Sequence, residues 1–583
     1  MIRGTWWHRR GLIYAPALAA QPGVPYLHAY LSHEEVYGRR MSESELTGRV
    51  SGTSRSAALI MLGRLITATS LGRFTERGFQ LGLVREMFSP LMAGRIEDLL
   101  RRDPGRLPIG PQQPMALAKL VLLHAREMGC GAPQLAAAQQ ELPCLLLGIA
   151  DVLNDCSTQE AQGQAGEGRN ESAWLLRELV RNMGFHDMPD YFGALARYSH
   201  MFVTFARQSR SGQSPNWMDL DALFAKWVGC SVEEYLTYGA ALSSFYMRKD
   251  GRIDPTTACV SLAQWLRNVR PGDVRAKFER VIREVSRPAW RFAHAFRQRS
   301  GSAFYYDFVP LEETPLVRIP GGRLCCTWPQ WLWETLSSGV CWRFHGRLWP
   351  SNRALFDRFC RFAGELFERY VQELLESVLP DDVVFREQEY AHGRERRRSS
   401  DAIVFDGREA VFFEAGTVHL HKNATEIDAA KDALDKDLNE LAAKAAQCMR
   451  SIRDFQDGRF NCGRFASASV CRYWPVVVTL HHLPLFRRVQ EVLQGKATVR
   501  EWTPPNTESP VFVGVDELEW LCSAHGSGKG LVGVLRAWRG DPLHRDWPLT
   551  NFLYAQRLAG ERPPMIRAEC LRLFGLAEQT LSA

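Results

Sequence analysis

The chain has 583 residues, 45% of them hydrophobic and 23% charged, with Lys+Arg 72 against Asp+Glu 65. That composition excludes a disordered chain and supplies apolar material for about three or four domains. The net charge of +7 permits a nucleic-acid partner without requiring one.

No apolar run reaches about 18 residues, so no membrane partner is expected. The longest, Leu142–Leu153, is interrupted by Asp151 and reads as a buried helix. The 14 cysteines are scattered, with no CxxC pair, and Cys325-Cys326 has no second pair to complete a zinc site. Unpaired thiols in apolar settings suit a reducing cytoplasm, the expected location. At the N-terminus, Arg9-Arg10 and the apolar stretch to Ala20 imitate a secretion signal. Trp6 and Trp7 before the arginines, with Tyr14 and Pro16 inside the stretch, argue against it.

Residues 1–300 read as a helical domain of unknown role, with helical periodicity at Ala57–Ser70, Leu117–Met128, Ala173–Met183, Leu220–Trp227 and Val274–Phe296. Turn residues cluster from Asp103 to Pro114, and Gln159–Asn170 reads as an exposed loop. No internal repeat is visible. Trp6, Trp7, Trp174, Trp217 and Trp227 read as core or interface residues, and a protein partner is expected on this half. Residues 301–350 read as a short β and aromatic bridge. Ala303–Val309 and Leu316–Ile319 are its expected strands, Pro320-Gly-Gly its turn, and Trp328, Trp331 and Trp333 follow.

Residues 351–482 carry the informative pattern. Asn352–Leu379 reads as a helix, Val383–Gln388 as a strand, and His392–Arg398 as a basic turn. Ser400–Phe405 and Ala410–Glu414 read as strands joined by Asp406-Gly407, a hairpin signal. Glu426–Phe455 reads as a helix and Trp474–Leu480 as a buried strand. Residues 483–583 form an α/β extension, with a helix at Leu485–Leu493 and a strand at Val511–Val515. The hairpin turn makes Asp401 and Glu414 converge, although thirteen positions separate them. Two carboxylates brought together suit hard divalent cations.

Gly364-Glu-Leu-Phe-Glu368-Arg-Tyr-Val371, Ser399-Ser400-Asp401-Ala-Ile-Val, Val411-Phe-Phe-Glu414 and Lys444-Ala-Ala-Gln447 occur in this order. The order resembles the PD-(D/E)XK, or restriction-endonuclease-like, nuclease superfamily over about 130 residues. Length and periodicity make the chain multidomain with a mostly α N-terminal half; the resemblance implies that an α/β, restriction-endonuclease-like domain with a central mixed sheet follows. It implies Asp401, Glu414 and Glu368 as ligands of Mg2+ or Mn2+, and Lys444 or Gln447 as auxiliary residues. A helical wheel puts Glu368 at the edge of an apolar arc, with Glu373 as a rival inside it. The family pattern also places a lysine two residues after the glutamate, where this chain has Gly416. Lys444, just outside the apolar arc of its helix, is the first candidate substitute, and Lys422 the second. Arg394, Arg396, Arg397 and Arg398 precede Asp401 and would meet phosphates.

The expected function is metal-dependent phosphodiester hydrolysis of DNA, with Asp401, Glu414 and Lys444 catalytic, in a bacterial antiviral defence role. The alternative is an inactive nuclease-fold module for nucleic-acid binding or assembly, which Gly416 favours. Plainer readings stand beside these. Asp401 caps a turn, Glu414 is an exposed strand end, Lys444 and Gln447 are solvated, and the arginine run is a solvated loop. As an edge carboxylate, Asp401 is expected to contribute about 1 kcal/mol or less to stability. His525-Gly-Ser-Gly-Lys-Gly imitates a phosphate-binding loop but has Ser523 where the first glycine belongs, so no ATPase is expected. His419, His421, His481 and His482 show no zinc-enzyme spacing.

Overall fold

The computed structural model describes residues 30–69, 77–103, 106–110, 112–166, 191–209, 214–244, 259–299, 304–305, 307–417, 431–481, 487–545 and 547–581. The helix expected at Ala173–Met183 lies outside them. An α-rich first half precedes an α/β part with a mixed sheet. No described helix is long and apolar enough to cross a membrane.

In the first half, α1 (Arg55–Thr69), α2 (Gln112–His124) and α3 (Ala132–Gly166) share an apolar core. Every residue from Gln112 to Leu123 is buried, because α2 is apolar nearly all round and is covered on all sides. Its one lysine, Lys119, donates to the carbonyls of Phe304 and Asp307 and lies 4.0 Å over the Phe304 ring. Burial pulls its pKa down to about 7. Asp151, inside α3, accepts the Met41 N–H at 3.0 Å. The loop expected to start at Gln159 begins instead as helix, since α3 runs on to Gly166 through Gln, Glu and Ala, which are good helix formers.

Next come α4 (Tyr191–Ser199), α5 (Leu220–Val228), α6 (Val232–Ser244), β1 (Cys259–Ser261), α7 (Asp273–Glu284), β2 (Ser286–Pro288) and α8 (Ala289–Arg297). The single helix expected over Val274–Phe296 is thus two helices and a strand. Pro288 forces the residue before it into extended backbone and then starts α8. β3 (Leu316–Ile319) and β4 (Arg323–Cys326) complete a small sheet of order β1-β4-β3-β2. Gly321 and Gly322, both at positive φ, make its turn. The strand expected at Ala303–Val309 is absent from the described residues there. Val309–Glu313 is a short helix with Pro310 in its first turn, where a missing N–H costs little.

After α9 (Gly339–Leu348) and α10 (Arg353–Glu376), the larger sheet contains β5 (Val384–Arg386), β8 (Ala402–Asp406), β9 (Glu409–Gly416), β10 (Arg472–Thr479) and β11 (Val511–Gly514). A separate hairpin, β6 (Glu389–His392) and β7 (Glu395–Arg398), lies between β5 and β8 in sequence. The sheet order is β11-β10-β9-β8-β5. β5, β8 and β9 pair antiparallel, and β9, β10 and β11 pair parallel. Alternation along β8 and β9 sorts their residues. Ala402, Val404, Val411 and Phe413 share the core of α10. Ile403, Phe405 and Phe412 pack with Cys448, Ile452 and Phe455 of α11 (Lys431–Gln456) on the other face. The Gly407 turn, at φ 64, tightens the β8–β9 hairpin.

Beyond the sheet lie α12 (Arg487–Arg500), α13 (Val515–Ala524), α14 (Leu531–Gly540) and α15 (Pro564–Thr580). Asp406 at the β8–β9 turn accepts the Val532 N–H at 3.0 Å, so a carboxylate sits at the N-terminus of α14. The glycine-rich segment before α14 therefore presents its helix end to a side chain of its own chain.

One core joins α4 to α15 through the sheet and spans the boundaries drawn from the sequence at 300, 350 and 482. A buried charge cluster crosses it. Glu519 on α13 accepts from Arg197 of α4 at 2.6 Å, Tyr370 of α10 at 2.8 Å and Arg562 at 3.2 Å. The Arg562 guanidinium also stacks 3.5 Å over Trp520. Removing this carboxylate leaves two arginines buried beside each other. Glu519→Ala is expected to cost about 3–5 kcal/mol in urea unfolding, and Tyr370→Phe, which removes one hydrogen bond, about 1 kcal/mol. A Glu519→Ala loss below about 1 kcal/mol would show that the cluster does not hold the halves together.

Candidate functional site at the end of the mixed sheet

The register Ala402↔Phe413 continues to place Asp401 directly opposite Glu414. Directly opposed residues share a face, and for this pair it is the face covered by α11. The backbone before Asp401 is fixed on both sides. Ser399 Oγ accepts the Gln388 N–H at 2.8 Å, and Ser400 donates its N–H to Ser451 Oγ of α11 at 2.9 Å. Asp401 is 6% exposed and its Oδ2 accepts the Ala415 N–H at 2.7 Å. It is therefore a buried, hydrogen-bonded group and not the lightly held edge carboxylate expected from the sequence. The β9 strand continues past Glu414 and walls it in.

Glu414 is fully buried, and neither of its oxygens meets a donor at hydrogen-bonding geometry. The Lys444 ammonium stands 3.6 Å from Oε2. Burial pushes the Glu414 pKa well up, and the Asp401 charge adds to that, against the pull of Lys444. Asp401 is raised too, again mainly by burial. Burial works against the Lys444 charge as well, but the Glu414, Asp401 and Glu368 carboxylates outweigh it and raise its pKa. Gly416 is buried on β9 two residues after Glu414, hence on the same face. Lys444 approaches that face from the helix above it.

Glu368 reaches the same sheet end from α10, on the opposite face. Burial and the Asp401 charge raise its pKa to about 7. Its rival Glu373 is engaged by Arg369 at 2.7 Å, one turn away. Gln447 lies one turn past Lys444, half-buried. Lys422, His419, His421 and His482 lie outside the described residues, and His481 packs against the Trp342 ring at 5.2 Å. Sequence reasoning missed Glu387. It follows β5, and burial raises its pKa, with Asp401 adding to the rise and Arg398 opposing it. Its only signal is its place just past the first strand of the sheet.

The basic turn is a hairpin whose Gly393, at φ 64, makes the bend. Only part of its charge is available. Arg397 is held 3.3 Å from the buried Asp454, which also accepts from Tyr390 at 2.7 Å. Arg398 lies 3.3 Å from both Glu387 and Glu389. Strand pairing thus sets Arg397 and Arg398, two of the four arginines expected to meet phosphates, beside acidic neighbours. Arg394 and Arg396 are exposed and have no ion pair among the described residues.

The two Glu414 oxygens are buried without a hydrogen-bond donor, and together with the Asp401 carboxylate opposite they are hard oxygen ligands of the kind Mg2+ or Mn2+ takes. As placed, the Lys444 ammonium stands beside Glu414 at 3.6 Å. Among the described residues, no group of three or more His, Cys, Asp and Glu side chains is closed up around a metal position. Comparisons with family models, curated proteins and solved structures find no match for this chain.

Glu368 gives the cluster a pH signature. Between the ordinary carboxylate value and about 7, folded Glu368 holds a proton that the unfolded chain has released. Its contribution to stability is therefore present at low pH and is lost as pH rises through about 7. In EDTA, thermal stability should fall from about pH 5 to about pH 7.5, and the fall should be shallower in Glu368→Gln. Mn2+ should raise the melting temperature more at the higher pH, because it favours the ionised carboxylates. Equal slopes in wild type and Glu368→Gln would remove Glu368 from the cluster.

Proposed function

We propose that this chain is a metal-dependent nuclease of the PD-(D/E)XK, restriction-endonuclease-like type, acting on DNA. In this reading Lys444 takes the place of the lysine that Gly416 lacks. The observation that carries the reading is the Lys444 ammonium 3.6 Å from Glu414, on the strand position opposite Asp401.

Asp401, Glu414 and Glu368 would hold Mg2+ or Mn2+. When bound, the ion supplies charge neutralisation and Lewis acidity toward a phosphodiester and its attacking water. Asp401 keeps its orientation through Ala415, so it presents its second oxygen without reorganising. Lys444 neutralises Glu414 before substrate arrives and can donate toward negative charge developing at the phosphate. Without metal, burial and the Asp401 charge raise the Glu368 pKa to about 7, so binding the ion would displace a proton from it. Arg394 and Arg396 are placed at an exposed hairpin where backbone phosphates can reach them.

One observation favours a second reading. The Lys444 ammonium already stands where a cation is required and the three carboxylates are not closed into a ligand set, as in an inactive module. Incubation with plasmid and single-stranded DNA in Mg2+ or Mn2+ separates the two. Asp401→Asn retains an oxygen acceptor for the Ala415 N–H, so the fold should persist while cleavage disappears. Lys444→Ala should lower cleavage about a hundredfold or more, the loss typical of one charge-stabilising donor. Cleavage by folded Asp401→Asn at the wild-type rate would sink the nuclease assignment. Absence of cleavage by the wild type with either metal would favour the inactive module.

A further inference from the structure

A second charge imbalance, of opposite sign, lies on elements that hold no candidate-site residue. Arg283 on α7, Arg287 on β2 and Arg291 on α8 recur every four residues across the break at Pro288. The parallel pairing of β2 with β3 sets Arg318 beside Pro288. Arg318 donates from Nε to Ser286 Oγ at 2.9 Å and from Nη2 to the Ser286 carbonyl at 3.2 Å. Arg287 donates to the Arg283 and Ser286 carbonyls at 2.7 and 3.0 Å. Arg343 and Arg347 arrive from α9. Arg343 donates to the Glu284 carbonyl, and Arg347 lies 3.8 Å from the Glu284 carboxylate.

Six arginines thus lie on neighbouring elements, and among the described residues the Glu284 carboxylate, beside Arg347, is the one acidic partner that pairs with any of them. Arg283, Arg287, Arg291, Arg318 and Arg343 have no ion pair among the described residues. Burial lowers the Arg287 pKa, and the charges of Arg291, Arg343 and Arg347 lower it further against Glu284. Burial lowers that of Arg318 as well, with Arg287, Arg283 and Arg291 adding to it. Such repulsion costs stability and is relieved by an external anion. Arg287 and Arg318 are tied to backbone carbonyls, which fixes their guanidinium planes before any ligand binds. Beside them Trp290 is 61% exposed, with the Arg291 guanidinium 5.3 Å from its ring. An exposed ring beside the Arg291 guanidinium, close along the chain to the fixed Arg287, whose neighbour Arg318 is fixed as well, matches a ligand that repeats phosphates and carries flat bases.

We propose that this arginine face binds the backbone of a nucleic acid, outside the candidate cleavage site. Choosing nucleic acid as the polyanion rests on the nuclease reading, but binding here does not require the other site to cut. The test uses the full chain in EDTA, with fluorescence anisotropy of short labelled single-stranded and duplex DNA across a salt series. Simultaneous Arg283→Ala, Arg291→Ala and Arg347→Ala should weaken binding about tenfold or more and lower the log–log salt slope by roughly three on duplex. The matching Arg→Lys triple variant should keep most of the slope, which separates lost charge from lost fold. Trp290→Ala should weaken single-strand binding more than duplex binding.

An unchanged slope in the folded alanine variant would overturn the proposal. So would loss of binding to anionic vesicles or polyglutamate with DNA binding intact. A wild type that binds through this face but cuts nothing would remove the nuclease reading and leave the face standing. A wild type that cuts, with a triple variant that binds normally, would do the reverse.

Discussion

Three carboxylates, those of Glu368, Asp401 and Glu414, share a buried sheet end with one ammonium. In a low-dielectric interior such groups repel strongly, and each would be more stable in water. The surroundings hold them there. α10 and α11 cover opposite faces of the sheet, two serines pin the strand start, and a main-chain N–H fixes Asp401. Apolar residues of similar volume would pack at lower electrostatic cost. On the reading proposed above, a divalent cation would offset that cost.

The arginine face has the opposite imbalance, and the two affect a polyanion differently. On the proposed readings, the carboxylate cluster would repel phosphates until a divalent ion neutralised it, whereas the arginines would attract them with or without metal. Affinity and cleavage would then respond separately to metal. The shared core from α4 to α15, with Glu519 at its centre, keeps the two surfaces on one framework.

What was legible in the sequence depended on short range. Asp406-Gly407 between two short apolar runs is enough to bring Asp401 to Glu414, because a two-residue turn fixes register. Glu368 and Lys444 could be located because each borders the apolar arc of a long helix. Their common destination could not, since it depends on α10 and α11 covering opposite faces of one sheet. The arginine run is a string of charges in the sequence but a paired strand in the fold. Pairing with β6 sends Arg397 to Asp454, 57 residues away in the chain. Glu387 left no periodic trace. The arginine face was invisible because its members run from Arg283 to Arg347 and meet only through β2–β3 pairing.

The edge strand β11 has a consequence for the unit of folding. Val511–Gly514 covers the outer side of β10, whose Val476, Val477 and Val478 are fully buried. A fragment ending at 482 would lose that cover and the α14 terminus that receives Asp406. Its exposed parallel edge would be a template for pairing with another copy. The smallest soluble piece carrying the carboxylate cluster must therefore include the last hundred or so residues. Truncations that stop short of them would report self-association in place of activity.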